Sequence, residues 1–441
     1  MTRLAPSPRE VPLLGSFPEI QRLGQVRFFE EVWRAHGDVV RFKLGPFVGH
    51  VVAHPEHIRH ILVENRGNYR KGRGYAKTRE FLGEGLLTAE GERWQRQRRL
   101  MQPPFTARGV VQFAGAITRA TTATIDRWEG GAVFDVDREM LHLTMAIIGE
   151  TMFGADLGAR GAALVQASGD ACAHINHRLA SFFDVPLWIP TAKNRRFSAA
   201  LRALDSIIAE IVAGRREAPP RDDLLGKLLA AREDGVGMDA RQIRDEIVTI
   251  FFAGHDTSAE ALTWAWYLLA RHPDAEYQLH AELGRVLGGR VPTAADLPAL
   301  PYTRAIVDET LRLYPSVWCF PREAIADDEL GGFHVPGDSQ VFPSMYLAHR
   351  HPEFWRDPEH FEPDRFMALR AAGKTNPAYL PFGLGPRTCI GNHLAVQVVA
   401  LVLATAAQRV RLRLASLEPI PPVSIVTLHP SRPVRMIASL R

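Results

Sequence analysis

The sequence predicts a mainly α-helical fold with a minor β region, laid out as one large domain over residues 1–441. Three observations carry that prediction. Apolar residues recur at three- and four-residue spacing in eight segments, the mark of helices with a buried face. The stretch 315–345 instead mixes β-branched and aromatic residues with Pro321, Gly331-Gly332 and Pro336-Gly337, which reads as short hairpins. No Ser/Gly linker, internal repeat or low-complexity tract divides the chain, and the proline-rich patch at 419–422 is too short to act as one.

In chain order, 25–36 reads as an amphipathic helix, and 39–44 and 48–53 alternate as two short strands. Helical spacing then marks 92–101, 107–129, 137–153, 195–215, 240–271, 274–287 and 303–313. After the hairpin region comes a last helix over 391–409.

Composition narrows the function classes. A hydrophobic content of 46% fills a large core and still lines an enclosed apolar pocket. The net charge of +4 is too small to point to nucleic acid. Cys172, Cys319 and Cys389 are odd in number and far apart, which fits a reducing compartment, the cytoplasm, better than a disulfide framework. The first twenty residues hold charges and prolines, and the most apolar run, 398–407, is too short to span a bilayer. Neither a signal peptide nor a membrane anchor is expected.

Residues 382–391 read Phe-Gly-Leu-Gly-Pro-Arg-Thr-Cys-Ile-Gly. The segment sets Cys389 in a glycine-rich loop directly before a helix, whose free N–H groups and partial positive charge favour a thiolate. Gly385 and Gly391 let the backbone turn tightly and a flat ligand come close. Arg387 adds a cation two residues before the sulfur.

This decapeptide resembles the haem-binding loop of the cytochrome P450 family, the haem-thiolate monooxygenases. The resemblance implies a cytochrome P450-like fold enclosing haem b (iron protoporphyrin IX), with Cys389 as the axial ligand and Phe382 and Gly391 framing it. A thiolate ligand donates electron density that favours O–O cleavage. Within 240–271, Ala253-Gly254-His255-Asp256-Thr257 resembles the family's oxygen-activation motif. Ala253 and Gly254 are expected to leave room for dioxygen, and Asp256 and Thr257 to relay protons. A Thr hydroxyl there can also bond the Ala253 carbonyl and open the helix. His255 is left without a role beyond lining or packing.

Glu309 and Arg312 lie one turn apart, and Arg365 in Pro-Asp-Arg-Phe resembles the third member of the family's structural triad. The triad is expected to hold the cysteine loop in place. Trp94 and Arg98, four residues apart, resemble the pair that contacts the haem propionates, and Arg322 and Arg387 complete that set. Arg93, Arg96 and Arg99 form a stripe beside them, expected to steer an acidic electron donor. With no reductase domain expected in the chain, electrons come from a ferredoxin or flavodoxin and its NAD(P)H-dependent reductase.

Family position suggests a substrate pocket lined by the loop 70–87, Phe252, Val317, Trp318 and Val426. These are apolar, so the expected substrate is a small hydrophobic molecule, a terpenoid-like natural product ahead of a fatty acid. Arg70, Lys71, Arg73, Lys77 and Arg79 offer cations at the mouth, read mainly as solvated charges. A peroxide-driven peroxygenase or a haem-binding sensor or carrier has less need of the Asp256–Thr257 pair. A zinc site at His349 and His351 lacks a cysteine partner at ligand spacing.

Overall fold

The computed structural model describes the backbone of residues 3–128, 130–154, 158–180, 185–424 and 426–441. Helices dominate it. The longest, Ala240–Arg271, starts where the Asp239 side chain accepts a hydrogen bond from Gln242 N and stops at His272, just before Pro273. Twenty-two of its residues are buried, so it is apolar nearly all round and forms the spine of the molecule. Val136–Phe153 packs along it, as do Pro301–Leu313 and Asn392–Ala406. Together they make the main core, in which Trp264 stacks at 3.8 Å on Tyr314.

The helices expected from periodicity occur as Gln25–His36, Gly91–Met101, Val136–Phe153, Ala192–Glu217, Ala240–Arg271, Pro273–Leu287, Pro301–Leu313 and Asn392–Ala406. The segment 107–129 is broken: a short helix ends at Val110, a tight turn spans Val111–Phe113, and Ala114–Ile125 resumes. Gly158–Ala180 also forms a helix that its small residues disguise in the sequence.

The minor β region is a five-stranded mixed sheet in the order Val39–Leu44, Phe47–Val52, Gln340–Pro343, Arg322–Ala324, Tyr69–Lys71. Its second strand begins one residue earlier than the alternation suggests. Against it sits a separate small core of Phe28, Phe29, Phe42, Trp318 and Leu347. In the last strand pair Arg70 stands opposite Glu323, and the next rung sets Lys71 opposite Arg322. Near the C-terminus a short hairpin pairs Pro422–Ser424 with Leu428–Pro430. No helix among the described residues is long and apolar enough to cross a membrane.

Candidate functional site

The cysteine loop closes on itself before the helix Asn392–Ala406 begins. Cys389 N donates to Phe382 O at 2.9 Å, and Thr388 Oγ1 donates to Gly385 O at 2.7 Å. Gly385 has φ of 75°, and a Cβ there would lie 2.7 Å from Leu62 O, so only glycine fits. Cys389 keeps exposed side-chain surface in a densely packed neighbourhood. Burial pushes the Cys389 thiol up, and the Gly391 N–H and the Arg98 guanidinium work against that by favouring the thiolate.

Of the expected anchors, Arg98 donates from Nη1 to Thr388 O at 2.8 Å, fixing the residue before the cysteine. Arg387 lies over the Trp94 ring, 4.4 Å from its centroid, and donates to Ala89 O at 3.0 Å. Arg322 is buried, and its side chain donates to the adjacent Pro321 O. Burial first, then Arg322, pulls Arg387 down to about 10. Lys71 belongs to this group, which sequence reasoning missed. It is not a solvated charge: burial, Arg387 and Arg322 hold it well below the ordinary lysine range, and Glu90 is the carboxylate that opposes them. The signal was the rung pairing Lys71 with Arg322, which only the strand register reveals. The other cations of 70–79 are engaged within the chain. Arg70 and Arg73 bond Glu323, Lys77 donates to Arg178 O, and Arg79 donates to Thr88 O.

The stripe of Arg93, Arg96 and Arg99 lies at the surface, with Arg93 and Arg99 exposed, and each arginine has an acidic neighbour. Arg93 pairs with Glu84, and Arg96 and Arg99 both reach Glu233, at 3.3 and 2.6 Å. Their charge is offset locally by Glu84, nine residues before Arg93, and by Glu233 from a distant segment.

On the long helix, Ala253 keeps free surface between buried neighbours Phe251, Phe252 and His255. Gly254 faces elsewhere: a Cβ there would lie 2.8 Å from Ile148 Cδ1, so what its missing side chain admits is the neighbouring helix. That corrects the expectation of room for dioxygen at this residue. His255 is buried and bonds Phe251 O through Nδ1 at 2.8 Å, a packing role. Thr257 Oγ1 donates back to Ala253 O at 2.6 Å, and Asp256 Oδ2 accepts from Thr427 Oγ1 at 2.6 Å.

Glu309 and Arg312 are fully buried and doubly bonded, at 2.7 and 2.8 Å, and Arg365 Nε donates to Glu309 Oε1 at 3.0 Å. A link from this triad to the cysteine loop runs through His349. Its Nδ1 meets Arg312 O at 3.0 Å and its Nε2 accepts from Leu380 N at 2.8 Å, two residues before Phe382. Burial and Arg312 push His349 down to about 3, so it stays neutral and can bridge donor and acceptor. His351 bonds Asp38 instead, so the two histidines share no ligand site.

The expected pocket residues divide. Phe252 meets Phe81 edge-on at 5.6 Å, and Val317 and Val426 are half-buried. Trp318 is a core residue, its ring 5.3 Å from Phe29 in the cluster under the sheet, and does not line the pocket as expected. A large aromatic after a helix end serves either purpose, and burial decided it.

The family model "Cytochrome P450" matches residues 5–436. Cyclooctatin synthase of Streptomyces melanosporofaciens is 37% identical over 92% of this chain and 90% of its own length. Cyclooctat-9-en-7-ol 5-monooxygenase from the same organism is 36% identical over 92% and 89%. Pentalenene oxygenase of Streptomyces avermitilis is 32% identical over 99% and 97%. With the helical fold, the glycine-framed cysteine loop and these matches along almost all of its length, the chain belongs to the cytochrome P450 family and is a monooxygenase of it.

Proposed function

We propose that this enzyme hydroxylates or epoxidises a small terpenoid-like hydrocarbon skeleton, using haem b, whose iron the Cys389 sulfur would hold. The observation that carries the reading is the imbalance of charge beside the cysteine loop. Lys71, Arg322 and Arg387 face one another with Glu90 as the carboxylate acting on them, a donor set suited to the two carboxylates of a haem's propionates. Trp94 and Arg98 join that set. The exposed surface of Cys389, its glycine loop and the Gly391 N–H fit a flat metal macrocycle held by sulfur.

The haem, when bound, supplies the reductive activation of dioxygen, which a thiolate ligand promotes. The rest falls to the chain. Asp256 holds and passes protons at Oδ2, and the Thr257 hydroxyl, which shares Ala253 O with the helix, is the group that can swing to receive one. Electrons come from a ferredoxin or flavodoxin with its NAD(P)H-dependent reductase, and we place the enzyme in the cytoplasm as one catalytic domain over 1–441. The relatives named for cyclooctat-9-en-7-ol and pentalenene favour a terpenoid-like substrate. So does the engagement of Arg70, Arg73, Lys77 and Arg79 within the chain, which leaves a fatty-acid carboxylate less to hold on to.

Optical titration of the ferric protein with terpene hydrocarbons and with fatty acids tests this. A low-spin to high-spin shift with the hydrocarbons is expected. A shift with fatty acids alone overturns the substrate, and a protein with no haem-thiolate spectrum overturns Cys389. Thr257→Ala is expected to keep haem while product per NAD(P)H falls about tenfold or more and peroxide rises. An unchanged yield removes Thr257 from the proton path.

A further inference from the structure

Asp256 and Glu260 lie one turn apart on the long helix and share a side of it. The C-terminal hairpin is pinned across from them at Leu428, whose N–H donates to Ser316 O at 2.9 Å and whose carbonyl accepts from Trp264 Nε1 at 3.0 Å. With Leu428 fixed, the residues on either side of it point the same way, toward that helix. Thr427 Oγ1 lies 2.6 Å from Asp256 Oδ2 and 2.7 Å from His429 Nε2. His429 Nδ1 lies 2.7 Å from Glu260 Oε1, and Asp137, at the start of Val136–Phe153, completes a group whose ligand atoms lie within 4.8 Å of one another.

The direction of this chain is set by its chemistry. A hydroxyl gives one proton and accepts another, so a protonated His429 donates from Nε2 to Thr427 while Thr427 donates to Asp256. Behind the histidine, Asp137 Oδ1 and both oxygens of Glu260 are buried against one another and against the imidazole. Burial favours the neutral acids and the His429 imidazolium favours the ionised ones, so the group titrates as a coupled set. Burial accordingly pushes Glu260 up to about 8 and Asp137 upward as well. Burial pulls His429 down, but Glu260, Asp256 and Asp137 outweigh it and carry the imidazole up to about 9. The charged groups acting here are Asp135, which caps the helix Val136–Phe153, Asp137 within it, and Asp256 and Glu260 from the long helix.

We propose that His429 and Thr427 recharge Asp256 with a proton from inside the protein, held on His429 by the neighbouring Glu260 and Asp137. This rests on the monooxygenase reading above. In the step, His429 Nε2 gives its proton to Thr427 Oγ1 as Thr427 gives its own to Asp256 Oδ2. His429 is left neutral with its remaining proton on Nδ1 against Glu260 Oε1, and Asp256 is protonated; the proton given up is the one that the Glu260–His429 pair held in excess. His429 and Thr427 are positioning residues that act through Asp256.

The test compares His429→Gln, Thr427→Val and Thr427→Ser with the wild type, using the hydrocarbon that gives the largest optical shift. Product per NAD(P)H is expected to fall about tenfold in His429→Gln and Thr427→Val, less than the ~100-fold or more of a primary acid. Thr427→Ser retains the wild-type yield, and the solvent isotope effect rises only in the two impaired variants. Separately, nitrogen-15 NMR of the histidines is expected to show His429 titrating near 9, and near its ordinary value in Glu260→Gln. Intact haem spectra with yields within twofold of wild type, or a neutral His429 at pH 7.5, overturn the relay alone. A wild-type chain that binds no haem overturns the monooxygenase reading and the relay with it.

Discussion

Two buried groups of charge in this molecule are built on opposite plans. Around Arg312 every N–H has an acceptor: Glu309 takes two, and the carbonyls of His349, Pro358 and His360 take the rest. Around Lys71 the plan is inverted. That lysine stands directly opposite Arg322 across two strands, with Arg387 close enough to disfavour its charge further. Like charges facing across a ladder cost stability. The adjacent rung, where Arg70 bonds Glu323, shows that the same strands also carry a matched pair. A complete set of partners makes a scaffold, whereas cations left in excess make a receptor for an anion.

The comparison breaks most visibly through its satisfied half. Arg312→Met leaves Glu309 buried with Arg365 as its remaining cation, and a broken buried pair costs about 3–5 kcal/mol. The variant is expected to lose that much in chemical denaturation or to accumulate insoluble, and a loss under about 1 kcal/mol would show that the triad is dispensable. Glu309→Met with Arg312→Met is expected to recover part of the loss, because apolar groups replace the pair together. In the unsatisfied half the signs separate. Arg322→Met is expected to leave the haem-free chain as stable as wild type or more so, since it relieves Lys71 and Arg387. The same change is expected to speed haem transfer to an acceptor protein about 10–100-fold, the worth of a charged hydrogen bond at ~1.5–3 kcal/mol. Equal destabilisation of the haem-free chain by Arg322→Met and Arg312→Met would erase the distinction.

What was legible in the sequence follows the same division. Local periodicity gave the long helices, and resemblance to family motifs singled out Cys389, Asp256, Thr257 and the set Glu309, Arg312 and Arg365, the last three of which the structure brings together. Partners chosen by tertiary register were not legible. Lys71 reads as one of five surface cations until the strands set it opposite Arg322. The stripe at Arg93, Arg96 and Arg99 reads as basic until the fold turns Glu84 onto it and brings Glu233 from a distant segment. Trp318 and Gly254 carry the right residue types for a pocket, but packing against Phe29 and Ile148 claims them. His349 and His429 have no motif around them, and their roles exist only through what the fold sets on each side of the ring.

The group at His429 falls between the two plans, and pH is the way to separate it from the scaffold. Its folded value is raised, so the stabilisation it gives is complete below the unfolded value of 6.5 and is lost as pH climbs through about 9. Glu260 has the same sign, its contribution fading as pH rises from 4.5 through about 8. At ~1.36 kcal/mol per unit the histidine alone sets an upper bound of roughly 3 kcal/mol, and partial exposure and the proton shared with Glu260 reduce this to about 1–2 kcal/mol. The wild type is therefore expected to lose about 1–2 kcal/mol more between pH 6.5 and 9 than the His429→Gln, Glu260→Gln double variant, measured by chemical denaturation at each pH. Parallel curves would mean that the cluster is neutral in the fold and that its protons are not held there. A wild-type curve that falls away alone would show a buried group kept charged against its surroundings, at a place where a neutral one would have packed as well.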